Sequence, residues 1–298
     1  MRQARESVKF RASSGIICVA VSNAQSLIEI RDIEGMAELR AVEELQKEVW
    51  GVDDREVFPA LALIPMREVG GVLIGAFDGD RMIGFVFGFP GYENGRMILH
   101  SDMLAVSPEY RSHGLGYKLK LAQRERALAK GIDTVTWTFD PLQSLNAHLN
   151  FSKLGVIAGR YRVNYYGETT SFLHSTGTDR LWVTWRLDSP RVRERIGGAA
   201  RSEGPALNEI PAIVRVGENE EPVTGNEIIS DQQFLTIEIP ENINALLQKD
   251  VELAIRWRGA TRKAFTRSMA AGFFVEEFYL IGEKSVGVYL LSLGKSAV

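Results

Sequence analysis

The spacing of apolar positions predicts short strands and amphipathic helices in the first part of the chain. A first strand is expected at residues 27–30. From 34 to 50, apolar side chains recur every three or four positions, and Gly51 follows them. This pattern predicts a helix that ends at that glycine.

Three strands are expected next, joined by two tight turns. The apolar runs 72–77 and 82–89 are separated by Asp78-Gly79-Asp80, and Asn94-Gly95 precedes a third run at 97–106. Asp-Gly and Asn-Gly between apolar runs are strong hairpin signals. The three runs therefore predict an antiparallel meander.

Beyond the meander, helical and strand-like patterns alternate. A strand, a helix and an adjacent strand in this order form a crossover that places the two strands parallel. We therefore expect an α/β (α+β) fold with a mixed, mostly antiparallel sheet, a central parallel crossover and flanking helices. The expected elements are a helix from 115 to 131, a strand at 134–139, a helix at 144–154, and strands at 156–161 and 181–187.

The chain is expected to contain two domains, because 298 residues approach the practical limit of a single core. Residues 1–25 are interpreted as an N-terminal extension and 26–189 as the main domain. Residues 190–211, rich in glycine, proline and charge, are interpreted as a linker or a frayed helix between the domains. Residues 212–298 are expected to form a small C-terminal α+β domain, with one long helix at 242–271, that packs on the first. No internal sequence repeat is evident.

Composition and net charge argue against several classes of partner and site. There are 35 Lys and Arg against 38 Asp and Glu, a net charge of −3, which argues against a nucleic-acid partner. Cys18 is the single cysteine, so neither an internal disulfide nor a cysteine zinc site can form, and a reducing cytoplasm fits best. The sequence contains no predominantly apolar stretch of membrane-spanning length, so we expect no membrane partner. A homodimer is left open.

One motif carries chemistry. A strand that ends in Leu104-Ala105-Val106 leads to Arg111-Ser112-His113-Gly114-Leu115-Gly116, which opens the next helix. Free N–H groups and the positive end of the helix dipole converge there, and Gly114 and Gly116 leave room for a phosphate to touch the main chain. A dinucleotide-binding turn requires a different glycine spacing and strand order. The motif therefore predicts an anion site.

At this point the chain resembles the GNAT superfamily of acyl-CoA-dependent N-acyltransferases, over residues 27–187. The resemblance is carried by the phosphate loop and by the blocks 100–106, 119–126, 137–142 and 146–155. It implies that backbone groups of Leu104 and Val106 hold the pantetheine arm, that N–H groups from Arg111 to Gly116 hold the pyrophosphate, and that Asn146 bonds the arm. The implied CoA-binding residues are Leu104, Ala105, Val106, Arg111, Ser112, His113, Gly114, Leu115, Gly116 and Asn146.

Acyl transfer to an amine needs a base for the ammonium proton and stabilisation of the oxyanion. Asp102, expected on the same strand face as His100, is the candidate base; a carboxylate tied into structural hydrogen bonds is the alternative. In many relatives a tyrosine four residues before the glycine after the second helix protonates the thiolate, but here that residue is Phe151. Tyr166 is the candidate acid, with Tyr165 as the other choice. The thiolate could also leave unprotonated.

We therefore expect an N-acyltransferase that moves an acetyl or another short acyl group, such as succinyl, from acyl-CoA to the primary amine of a small molecule, with an amino acid among the candidates. The alternative is a CoA-binding module without transferase activity. Arg160, Arg162 and Arg180 are candidate partners for a substrate carboxylate. The four histidines have no paired spacing, so no metal is expected.

Overall fold

A computed structural model describes residues 17–20, 27–111, 113–171, 174–198, 205–225, 232–282 and 286–294. The helices are α1 Gly35–Trp50, α2 Ala60–Glu68, α3 Leu115–Ala129, α4 Ser144–Ala147, α5 Pro190–Ile196, α6 Ile243–Lys249 and α7 Val251–Ala270. The strands are β1 Ile17–Ala20, β2 Leu27–Asp32, β3 Val72–Asp78, β4 Arg81–Glu93, β5 Arg96–Val106, β6 Thr134–Phe139, β7 Ile157–Arg162, β8 Arg180–Arg186, β9 Ala212–Val216, β10 Pro222–Thr224, β11 Phe234–Ile239, β12 Phe273–Ile281 and β13 Val286–Leu293.

These strands form one 13-stranded sheet in the order β1-β2-β3-β4-β5-β6-β8-β7-β12-β13-β11-β9-β10. Neighbouring strands pair antiparallel, except that β5 pairs with β6, and β9 with β11, in parallel. Helix α3 connects β5 to β6, as a parallel pair requires. The predicted fold class, a mixed and mostly antiparallel sheet with a central parallel crossover, is confirmed.

The two turns of the predicted meander have the backbone that their residues favour. Gly79 between β3 and β4 has φ +58°. Asn94 and Gly95 between β4 and β5 have φ +50° and +75°, the pair of positive values that a type I′ hairpin turn needs. Both hairpins therefore form where the sequence predicts them.

The sheet buries both of its faces in the half that holds the phosphate loop. On one face, Phe85, Phe87 and Met103 pack with the apolar residues of α1 and α2, and we call this the α1 face. On the other, Val86 and Leu99 pack with α3, and we call this the α3 face. The core of the α3 face continues without interruption into the residues of α7, β12 and β13.

The C-terminal part repeats the topology of the strands that precede it. In the first unit, β6 is followed by helical turns and then by β7 and β8, with β8 lying between β6 and β7. In the second, β11 is followed by α6 and α7 and then by β12 and β13, with β13 lying between β11 and β12. The edge strands β7 and β12 pair antiparallel, with Val275 opposite Ala158, so the two units share one sheet.

Two segments differ from the expected elements. The helix expected at 242–271 is two helices, because Asp250 adopts an extended backbone and its side chain accepts the N–H of Leu253 to start α7. The helix expected at 144–154 is α4 followed by a π-helix, His148–Leu154.

The segment 190–211, interpreted as a linker or a frayed helix, begins with α5, whose Val192 is buried. Residues 1–16 and 21–25 of the N-terminal extension lie outside the described residues, and β1 pairs with β2. The division into domains stays a prediction.

Candidate active site

The central feature of the site is an opening between β5 and β6. These parallel strands are paired only at Leu99 with Val135 and at His100 with Thr136. Beyond these pairs β5 continues to Val106 and stays paired with β4 on its other side. The edge of β5 that faces β6 is therefore free to pair with an extended ligand.

The peptide groups of Leu104 and Val106 face this opening. The Ser107 N–H donates to the Ile83 carbonyl on β4, at 2.9 Å. Since bonded residues alternate along an antiparallel pair, Ala105 also directs its peptide groups to β4, whereas Leu104 and Val106 direct theirs the other way. Two of the three predicted strand residues thus direct backbone groups into the opening, where the Val106 carbonyl accepts a bond of 3.4 Å from Arg111 Nε. Ala105 contributes to the core of the α1 face.

The phosphate loop ends at the start of α3. Gly114 precedes the helix with φ +68°, a conformation that favours glycine, and no atom lies within 4 Å of where its Cβ would be. Leu115 and Gly116 begin the helix, so their N–H groups have no carbonyl partner within it. The N–H of Arg111 donates to the Pro108 carbonyl, at 3.3 Å, and so belongs to the preceding turn. Ser112 lies outside the described residues.

The start of α3, the end of β5 and the helix after β6 converge. A Cβ at Gly116 would lie 3.8 Å from Leu104 Cδ2 and 4.0 Å from Leu149 Cδ2. Asn146 is exposed on α4, in the turn before Leu149, and has no hydrogen bond within the described part of the chain. The exposed His113 keeps its Nδ1 2.9 Å from the Arg111 carbonyl oxygen. The predicted CoA-binding residues that the structure describes therefore surround one end of the opening.

Asp102 is the extra residue of a β-bulge. Met103 lies opposite Phe87 and Ser101 opposite Gly88, so Asp102 has no partner residue on β4. The bulge interrupts the alternation along β5, so the expectation that Asp102 shares a strand face with His100 stays a prediction. The carboxyl is accessible to water, yet the surrounding protein desolvates it enough to raise its pKa. It makes no hydrogen bond or ion pair with the other described residues, as a base awaiting a substrate would not.

Tyr166 lies across the opening from Asp102. Its hydroxyl is 3.3 Å from Thr138 Oγ1 on β6. Because β5 and β6 run parallel with His100 opposite Thr136, Asp102 and Thr138 come at the same level of the sheet, two residues further on. The Tyr165 ring packs edge-on against Tyr166 and Trp182. The candidate base thus lies on β5, and the candidate acid, in the turn after β7, contacts β6 on the other side of the opening.

Phe151 belongs to the core. It is fully buried in the π-helix, and its ring packs against Phe139 and Tyr289. A tyrosine hydroxyl at this position would be placed among aromatic rings. The local packing therefore explains why this chain has phenylalanine there.

Lys120 is a buried cation that the sequence did not single out. Its Nζ donates to Ser101 Oγ at 3.0 Å and to Gln123 Oε1 at 2.8 Å, and it lies 3.7 Å from the centre of the Trp137 ring. Complete burial lowers the pKa of this lysine well below its usual value. Its bond to Ser101 fixes the residue next to Asp102 in the bulge.

An aromatic and cationic surface lines the α1 face beside the opening. The His100 ring stacks obliquely on Trp182 at 5.0 Å and keeps its Nδ1 3.0 Å from Thr136 Oγ1. Burial, followed by the charge of Lys120, lowers the pKa of His100. Arg160 lies over the Trp182 ring and forms an ion pair with Glu93. The polar or aromatic residues that alternate with Leu181 and Val183 on β8 were the available sequence signal for this surface.

Helix α7 of the C-terminal part holds the strand ends next to the site. Arg258 forms two hydrogen bonds, at 2.8 and 2.7 Å, with Asp140 at the end of β6. Arg262 binds Asp179, which precedes β8, with two bonds of 2.8 Å. Trp257, directly before Arg258, is fully buried. Arg258 and Arg262 are therefore both occupied by carboxylates within the chain.

Two further searches covered the described residues alone. They contain no group of three or more histidine, cysteine, aspartate or glutamate side chains that could hold a metal ion. Among the helices described above, none has both the length and the apolar character needed to cross a membrane. The expected absence of a metal and of a membrane partner stay predictions.

Comparison with known proteins identifies the region of the site. The family model "Acetyltransferase (GNAT) family" matches residues 37–155. No curated protein matches the chain. Similar solved structures include the ribosomal-protein-S18-alanine N-acetyltransferase of Escherichia coli (16% identity, TM-score 0.42, 54% of this chain and 94% of that one). Others are an aminoglycoside 6'-acetyltransferase type Ii (18%, 0.43, 54% and 97%) and Arabidopsis thaliana Naa50 with a bisubstrate analogue (16%, 0.42, 53% and 98%).

Proposed function

Because residues 37–155 form a GNAT acetyltransferase domain, we propose that this protein transfers an acyl group from acyl-CoA to the primary amine of a small molecule. The observation that carries the proposal is the opening between β5 and β6, with peptide groups of Leu104 and Val106 directed into it and the start of α3 at its end. An extended arm that ends in a phosphate is the kind of ligand this arrangement fits. We further propose a cytoplasmic location, which the single cysteine supports.

The chain's own residues supply binding and proton transfer. Backbone groups of Leu104 and Val106 bind the arm, and the N–H groups of Leu115 and Gly116 bind its phosphate end. Acyl-CoA brings an activated acyl group on a thioester. Asp102, whose raised pKa makes it a better base than an ordinary aspartate, takes a proton from the ammonium of the acceptor.

Tyr166 is the proposed acid, and its hydroxyl gives a proton to the departing sulfur. Phe151 cannot take this part, since it has no ionisable group and lies in the core. The same observation favours the second candidate function, a module that binds CoA without transferring its acyl group. Release of free thiol from acetyl-CoA and succinyl-CoA, with a panel of amines, separates the two functions and identifies the acyl group. CoA binding without turnover on any amine would favour the module.

Replacing the loop glycines tests the CoA site under either function. Gly114→Leu and Gly116→Leu are expected to abolish CoA binding, measured by calorimetry, because a side chain would occupy the space of the phosphate. Gly131→Leu is the matched control: Gly131 at the other end of α3 has φ +74° against +68° for Gly114, and neither has an atom within 4 Å of its Cβ position. Equal CoA affinity in Gly114→Leu and Gly131→Leu would show that the phosphate binds elsewhere.

A further inference from the structure

Arg180 is a buried cation on the α1 face that the proposed proton transfers leave unused. It is 8% exposed. Its Nη1 donates to the Asp179 carbonyl at 3.0 Å, its Nη2 lies 2.6 Å from His174 Nε2, and its Cζ lies 5.0 Å from the centre of the Tyr166 ring. It forms no ion pair with any described carboxylate. The charge is therefore buried without a counterion, a costly arrangement unless a ligand supplies one.

His174 is neutral in this arrangement. A guanidinium only donates hydrogen bonds, so His174 Nε2 must accept, and the proton stays on Nδ1, which is 2.6 Å from Thr169 Oγ1. Burial, followed by the charge of Arg180, lowers the pKa of His174. All the nearby partners of Arg180 are thus uncharged.

The arginines packed around Arg180 are paired with carboxylates, and Arg180 is not. Each buried or half-buried arginine there has its own carboxylate, whereas Glu56 accepts the N–H of Thr170 and Asp102 is the proposed base. The pairs are Arg258 with Asp140, Arg262 with Asp179, and Arg160 with Glu93.

A second donor on the same strand also lacks an acceptor. Trp182 Nε1, two residues further along β8 and so on the same face, is buried without a hydrogen-bond partner within the described part of the chain. Buried donors are nearly always satisfied in folded proteins. Trp182 lies opposite Thr138, whose hydroxyl is next to that of Tyr166. The surplus of donors therefore lies beside the proposed acid.

Resting on the proposed acyl transfer, we propose that the acceptor amine carries a carboxylate and that Arg180 binds it, which makes free amino acids the substrate class. Strand β8 lies two strands from β5, about 10 Å away, and Arg180 is two residues along β8 from Trp182, which lies opposite Thr138. An amino acid whose carboxylate is bound by the long Arg180 side chain would direct its amine into the opening, on whose β5 side Asp102 lies. The planar guanidinium favours the two oxygens of a carboxylate over a single polar atom.

Matched acceptors that differ only in the carboxylate test this specificity. Glycine, L-alanine and L-phenylalanine are each compared with their α-amides by thiol release. The wild type is expected to have the higher kcat/KM for each acid, although the amide has the more weakly basic amine and so more free base at neutral pH. Because Arg180 also contacts Tyr166, Arg180→Gln is expected to lower kcat/KM for both kinds of acceptor, but by about 10- to 100-fold more for the acids than for the amides.

Arg186→Gln, which replaces an exposed arginine at the other end of β8, is the matched control and is expected to keep the wild-type preference. Arg180→Lys keeps the buried charge but lacks the planar guanidinium that binds two oxygens, so its preference for the acids is also expected to fall. This second variant tests carboxylate recognition if Arg180→Gln does not fold, as judged by its melting temperature and its CoA binding.

The outcomes separate the inference from the proposed function. Equal use of acids and amides by the wild type, or an equal loss for both in Arg180→Gln, would overturn carboxylate recognition while acyl transfer stands. If no amine is acylated, the proposed function fails, and equilibrium binding of N-acetylglycine against N-acetylglycinamide with CoA present tests Arg180 alone. Tighter binding of the acid that is lost in Arg180→Gln supports the site; equal binding refutes it.

Discussion

Removal of the Arg258 guanidinium is expected to loosen the attachment of helix α7 to the acyltransferase half. The side chains of Arg258 and Asp140 are 3% and 10% exposed and share two hydrogen bonds. Burial by itself lowers the pKa of Arg258, but the charge and hydrogen bonds of Asp140 outweigh this effect and raise it, so the guanidinium stays charged. In Arg258→Met the Asp140 charge loses that compensation.

The expected loss in free energy of unfolding is about 3–5 kcal/mol, the usual cost of removing one partner of a buried pair. For a chain of this length that loss lowers the melting temperature by about 5–8 °C. Arg256→Met is the matched control. Arg256 lies two residues before Arg258 on α7 and forms an ion pair with Glu221, and both of these side chains are about half exposed. Its expected cost is about 0–1 kcal/mol.

A double-mutant cycle isolates the pair from the rest of the helix. Asp140→Asn keeps an oxygen that can accept the Leu142 N–H, as Asp140 does now. The double variant Arg258→Met/Asp140→Asn is expected to lose less than the sum of the single losses, by about 1–3 kcal/mol. The variants are compared by urea unfolding followed by tryptophan fluorescence. A wild-type midpoint for Arg258→Met, or strictly additive losses, would refute the view that this pair fastens α7 to β6.

Asp102→Asn is expected to lower kcat/KM by about 10²- to 10⁴-fold and to remove the acidic limb of its pH profile. Because the pKa of Asp102 is raised, this limb is expected in the wild type at a pH above the usual aspartate pKa of about 3.9. An unchanged limb would assign the base elsewhere. Tyr166→Phe should lower kcat about 100-fold and Tyr165→Phe little, and the reverse order in thiol-release assays would exchange their roles. Burial lowers the pKa of Lys120 in the folded state, whereas in the unfolded state its pKa is about 10.4. Between these two pKa values the folded state binds fewer protons than the unfolded state. The free energy of unfolding therefore rises with pH in this range, by at most about 1.4 kcal/mol per pH unit. Lys120→Met should show no such rise in urea unfolding at a series of pH values, and a slope equal to the wild type's would contradict a buried, titrating lysine.

Local signals predicted the parts of this protein whose conformation depends on neighbouring residues. Gly79, and Asn94 with Gly95, adopt the positive φ values that make their turns. The proposed anion site has a local signal because it would be built from backbone N–H groups, and Gly114 and Gly116 mark the place where the backbone is uncovered. Asp250 shows the opposite case, since one side-chain cap divides a stretch that has continuous helical periodicity.

Features that depend on distant contacts had no local signal. Helix α2 has little amphipathic pattern and contains Pro65, so periodicity did not reveal it. Arg258 and Asp140 are 118 positions apart, and each has a more ordinary interpretation alone, as a surface arginine and as a helix cap. Likewise, the lack of a counterion for Arg180 is visible only when the ion pairs around it in the folded chain are known. Sequence reasoning therefore found the cofactor end of the site more readily than the acceptor end.

The pairing of β7 with β12 sets an order of events during synthesis. Strand β7 ends at Arg162 and β12 begins at Phe273, so 273 − 162 = 111 residues separate their appearance. At about 5–20 residues per second, the edge of β7 waits about 6–22 s for its partner on the ribosome. Two features of β7 hinder intermolecular pairing with its exposed edge. One is the register shift around Gly159, and the other is the pair of charged side chains of Arg160 and Arg162. The nascent acyltransferase half thus carries its own protection against aggregation until the C-terminal strands arrive.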